Sequence, residues 1–144
     1  MSLHVAVAAT PPDRTIPAHD LEEKPMLWAW LRFARATVEA KVNHLHDDAA
    51  RRRLVPSATT LAGVLSHLTT VERHWFGTVL GGVTRAMPFD PAWPDGDWDT
   101  ARVTGTELLA DYRRACDDSD AVINDLANGL GRGPDRGRVH GRGV

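Results

Sequence analysis

Residues Leu65 to Phe76 read LSHLTTVERHWF, and this run decides the fold. Around it Leu61, Val64, Leu65, Leu68, Val71, Trp75 and Val79 recur mostly at intervals of three and four, the period of a helix with one buried face. Thr59 or Thr60 can cap such a helix and the glycine pair after Leu80 can stop it. His67 lies beside the apolar stripe, between Val64 and Val71. His74 follows seven residues later, about 20° away in azimuth but about 10.5 Å along the axis. The two cannot share one ion. On spacing alone His67 reads either as a partly buried histidine with a hydrogen-bond partner or as a single metal ligand.

Working outward, residues Leu21 to Leu45 form the first predicted helix. Leu27, Leu31, Ala34, Val38 and Val42 make its stripe, widened by Trp28 and Trp30. Asp20, Glu22 and Glu23 sit where a helix start favours carboxylates, and Pro25 fits only a first turn. The segment DDAARRRLVPSATT predicts a short helical turn that stops before Pro56, because a proline pushes Val55 to extended geometry. Residues 81–102 form a long connection with Pro88, Pro91 and Pro94, the kind of segment that serves as a lid or binding loop. A third helix is predicted from about Thr104 to Leu126, burying Leu108, Leu109, Tyr112, Ala115, Ser119, Val122 and Leu126. No alternating strand pattern is present, and the fold class is all-α.

The domain reading is an N-terminal arm over 1–20, a helical body over 21–128 and a Gly/Arg-rich tail over 129–144. Residues 129–144 hold six glycines and four arginines, too few apolar groups to offset the entropy of ordering. Apolar residues at 42%, charged ones at 25% and a net charge of −2 give no electrostatic case for nucleic acid or a membrane surface. The arm has no basic segment ahead of its short apolar run, so a cytoplasmic protein is expected. Cys116 is the single cysteine, which excludes an internal disulfide, and Asp117 and Asp118 beside it should raise its thiol pKa. Asp95 to Asp99 lack the spacing of a calcium loop, and Arg51 to Arg53, His44 and His46 read as solvated surface.

The run RRRLVPSATTLAGVLSHLTTVERHWF, with the helix before it and TELLADYRRACDDSDAVI after the connection, resembles the DinB-like superfamily over roughly Leu21 to Leu126. The resemblance implies an up-up-down-down four-helix bundle, a dimer, and a divalent metal, zinc or nickel, held by three histidines. It implies transfer of a low-molecular-weight thiol of the mycothiol type, or a mycothiol-dependent isomerisation. The family's second-helix ligand matches His67, with Glu72 and Trp75 as supporting groups. Three neutral imidazoles leave coordination positions open, and a coordinated thiol loses its proton, giving a nucleophile at neutral pH. This chain departs from the pattern after residue 126. The resemblance expects two further histidines one turn apart on a fourth helix, yet His140 stands alone after His74 and no fourth amphipathic pattern is present. A shifted frame or truncation in a GC-rich gene is one explanation, and a divergent member that lost the site is the other. The expected function is therefore a metal-dependent thiol transferase with an incomplete metal site in this chain. The competing class is a non-enzymatic helical protein acting through dimerisation. Hydrogen exchange tests the tail: residues 131–144 are expected to exchange fast throughout, and slow exchange across them would contradict the domain reading.

Overall fold

Glu22 opens the first long helix, α1 (Glu23–Val42), by accepting the Met26 amide at 2.9 Å. Pro25 costs nothing there, since first-turn amides have no intrahelical acceptor. The structure, a computed structural model, describes residues 14–83 and 96–130. A single helical turn, α2 (Asp47–Ala50), follows α1. Thr60 then caps α3 (Leu61–Glu72): its backbone is extended and its hydroxyl accepts the Gly63 amide at 3.0 Å. The chain continues from α3 without a break as eight π-helical residues, Arg73–Leu80, and the Gly81 amide closes them on the Phe76 carbonyl at 2.9 Å. A π-helical run of this length is rare. The last helix, α4 (Gly105–Leu130), begins with a capping box. Thr104 Oγ1 accepts the Glu107 amide at 3.2 Å, and the Glu107 carboxylate accepts the Thr104 amide at 2.8 Å. Those bonds to Thr104 hold the Glu107 carboxyl below its usual range. All regular structure among the described residues is helical, as the periodicity predicts.

Paired contacts fix the helix directions. Along α1 and α4 the partners are Glu39 with Arg113 and Arg35 with Asp120, so these two helices run antiparallel. Arg73 pairs with Asp111, and Gly81 lies against Val122, so α3 with its extension runs parallel to α4. The long helices are thus ordered up, down, down, which departs from the up-up start that the resemblance implies. The reason lies in the connections. Residues 43–60 turn the chain straight back into α3, whereas α4 starts roughly 30 Å from where the helix after α3 ends. The long connection therefore joins opposite ends of the bundle, an overhand connection in topology. Its lid-like role falls partly on residues 84–95, outside the described residues.

The core sits where α2 and the N-terminal halves of α3 and α4 meet. Ala50, Ala62, Leu65, Leu108, Leu109 and Tyr112 are buried there, with Val38, Val42, Leu45 and Leu68 packed around them. The predicted stripe of α4 holds through Ala115 and Ser119 and fails at Leu126, which is exposed. The stripe of α1 is rotated. Leu27 is 65% exposed, and the one buried residue of α1 is Arg35, at 7%. At the opposite end of the bundle Trp30, Trp75, Val79 and Leu80 are exposed. The helix α4 also runs through residues 129 and 130, two beyond the expected edge of the body, while the tail from 131 lies outside the described residues.

Truncating the packed end should cost far more than truncating the open one. Leu65→Ala is expected to lose about 2–5 kcal/mol of unfolding free energy, and Leu27→Ala no more than about 0.5 kcal/mol. Urea denaturation of the two variants checks this, and equal losses would mean the core is misplaced.

Candidate functional site

Helical geometry carries the three candidate residues of α3 and its extension to three different sides. Five residues separate His67 from Glu72, which on an α-helix turns them roughly 140° apart. His67 is half-buried and faces the overhand connection, where its imidazole stacks on Trp98 with ring centroids 4.9 Å apart and planes 16° from parallel. Glu72 turns into the bundle and is buried, and Trp75 points outward at 55% exposure. His74, on the π-helical stretch, meets Trp75 edge to face and has a buried Nδ1 with no hydrogen-bond partner among the described residues.

Glu72 belongs to a charge cluster between the helices. Arg35 donates from Nε and NH2 to the two Glu72 oxygens at 2.8 and 2.6 Å, and from NH1 to Asp120 at 2.5 Å. The side chains of Arg35 and Glu72 are 9% and 8% exposed, and that of Asp120 is 38%. The Phe76 ring lies under the guanidinium at 5.6 Å. Burial disfavours the Arg35 charge, but the Glu72 hydrogen bonds and charge, followed by Asp120, outweigh it and push its pKa up. Cys116 and Tyr112 adjoin this cluster. Burial pushes the Cys116 thiol up to about 11, only partly opposed by the Arg35 charge. Burial likewise raises the Tyr112 phenol. The upward direction for Cys116 agrees with the sequence reading, but the leading cause is different. Asp117 and Asp118 are exposed, and desolvation dominates. Burial of this kind disfavours the thiolate, the form that acts as a nucleophile.

Arg35 and Asp120 were not singled out from the sequence, although a signal was available for one of them. Arg35 falls between Leu31 and Val38 at helical spacing, so a charge stands on an apolar line and needs an internal partner. The other residues weighed from sequence prove local or superficial. The Asp99 carboxylate accepts the Ala101 amide at 3.2 Å, as a turn residue does. Arg51 clamps the carbonyls of Thr100 and Val103, while Arg52, Arg53, His44 and His46 are exposed.

Donor chemistry decides whether a metal fits. Glu72 is fully engaged by Arg35, and His67 and His74 are too far apart along the helix to serve one ion. Among the described residues no three His, Cys, Asp or Glu side chains come together as a ligand set. The described residues do not fit a complete metal site; they offer His67 as one donor. No described helix is long and apolar enough to cross a membrane. A cleft of about 640 Å³ opens between α1, the π-helical stretch and α4, walled by Leu27, Trp28, Leu31, Phe76 and Ile123.

The buried cluster should behave as a coupled unit. Arg35→Met alone leaves Glu72 charged and buried, and is expected to cost about 3–5 kcal/mol. Arg35→Met with Glu72→Met should cost much less than the sum of the single changes in chemical denaturation. Additive losses would show that the pair is not the buried unit described.

Residues 26–139 match the family model described as mycothiol-S-transferase. No curated protein and no solved structure matches the chain.

Proposed function

Because this chain belongs to the mycothiol-S-transferase family, we propose that it is built for transfer of a low-molecular-weight thiol of the mycothiol type, with His67 as the metal ligand it retains and the rest of the metal site incomplete in this chain. The family match over most of the chain carries this reading. His67 supports it as a histidine on the second long helix, half-buried and stacked on Trp98. Incompleteness rests on the sequence: after His74 the only histidine is His140, and no second one stands a turn away. One imidazole alone does not hold zinc or nickel against competing ligands. The bidentate bond of Glu72 to Arg35 supports a role in the fold over one beside the ligand.

A second reading, a helical protein that works by pairing with another copy of itself, has its own observation. Trp75, Val79 and Leu80 are 55%, 52% and 50% exposed and follow one another along the π-helical stretch. Leu65 is already buried at 3% within its own chain and Leu68 packs against the core, which leaves Trp75 as the exposed apolar residue of that run. Trp75 and its neighbours are the residues a partner copy would cover.

Elemental analysis and sedimentation together separate the readings. Purified chain is expected to carry much less than one zinc or nickel per chain, and the thiol-transfer reading predicts that its residual weak metal uptake disappears in His67→Ala. A full chelator-resistant equivalent would overturn the incomplete site. Uptake indifferent to His67→Ala would overturn His67 as the ligand. The pairing reading predicts a dimer at micromolar concentration that Trp75→Glu shifts to monomer with helicity intact.

A further inference from the structure

Trp98 ends the one-turn 3-10 helix Gly96–Trp98, close before the start of α4, and it touches α3 at two points a turn apart. Its indole stacks on His67 at 4.9 Å with planes 16° apart. Four residues earlier, Gly63 leaves the room that lets the indole come down. A Cβ on Gly63 would stand 2.9 Å from Trp98 Cε3 and 3.6 Å from the Trp98 carbonyl oxygen. Gly63 is helical, so glycine serves close approach here and not backbone freedom. The turn is also held from behind. Arg51 donates to the Thr100 carbonyl at 3.3 Å and also to the Val103 carbonyl, and Thr100 itself is 6% exposed. Arg51 thus holds the backbone just after Trp98, while the bare surface of α3 at Gly63 receives the ring.

We propose that Trp98 is the positioning residue for His67, its indole fixing the plane of the imidazole through the space that Gly63 leaves open. An imidazole stacked face to face on an indole loses that contact if it turns about its Cβ–Cγ bond. Its neighbours then meet the ring edge, where both nitrogens lie. The overhand connection thereby acquires a chemical role, because it carries the group that orients the candidate ligand. The use of the oriented ring rests on the reading of His67 as a ligand; the orientation itself does not.

Proton NMR of the full chain tests the orientation directly, with the His67 imidazole signals assigned by their loss in His67→Gln. In the parent chain these ring protons are expected to lie upfield of an unstacked histidine, shifted by the indole ring current. Trp98→Ala should remove the shift and Trp98→Phe should restore part of it, with thermal midpoint and helicity recorded for each. Gly63→Ala should weaken the shift by pushing the indole away, although it alters neither ring. Unshifted His67 signals in the parent chain, or a shift that survives Trp98→Ala, would overturn the proposal. Zinc titrated alone onto these signals tests the ligand reading separately. Weak zinc binding lost in both His67→Gln and Trp98→Ala but kept in Trp98→Phe supports positioning, and binding lost in His67→Gln yet unchanged in Trp98→Ala overturns it. Zinc binding untouched by His67→Gln defeats the ligand reading, and the ring-current result then decides the placement by Trp98.

Discussion

The guanidinium of Arg35 is the charge on which the bundle closes. It is held by Glu72 from α3 and by Asp120 from α4, so one side chain of α1 joins all three long helices. A buried arginine without acceptors would carry a large desolvation penalty, and a buried Glu72 without its cation would do the same. The two therefore specify each other, and with them the register of α1 against α3. Phe76 extends the arrangement by laying its ring against the guanidinium one turn beyond Glu72. Specificity, more than net stability, is what such a cluster contributes, since well-packed apolar groups of the same volume are often equally stable.

With that register fixed, the apolar residues divide unequally between the two ends of the bundle. On the side of α2, Leu65, Leu108, Leu109 and Tyr112 are buried. Beyond the charge cluster, Phe76 and Ile123 line an open cleft with Leu27, Trp28 and Leu31, and Trp75, Val79 and Leu80 face outward. The π-helical geometry belongs to this second end. Among the described residues, Arg73 Nε, His74 Nδ1 and Thr78 Oγ1 are buried there without partners. Orphaned donors and acceptors of this kind cost stability.

The parallel course of α3 and α4 has a chemical consequence. The chain must come back to the starting end of α3 before α4 begins, and there Trp98 lies against Gly63 and His67. A direct hairpin between antiparallel helices would have left this face of α3 without the indole. His67 thus has its surroundings set by topology, through a residue far from it in sequence.

Much of the architecture could be read from the chain itself. Periodicity at three and four, the Thr60 cap and the proline and glycine stops placed the helices within a few residues, because these signals act locally through backbone geometry and one-sided burial. Membership of the family was legible for the same reason: a motif is a local pattern. The rotation of α1 was not legible, because apolar counting placed Leu27 and Ala34 inward, whereas the partnership of Arg35 with Glu72 and Asp120 turned the helix to bury a charge. Nor could helix direction be read, since a stripe of apolar residues packs equally well in either sense until long-range pairs such as Arg73 with Asp111 select one. The stacking of Trp98 on His67 depends on that choice. The sequence determined which residues could be buried and which histidine to watch; only the tertiary structure decided what stands beside it, because contacts between residues distant in the chain have no periodicity to betray them.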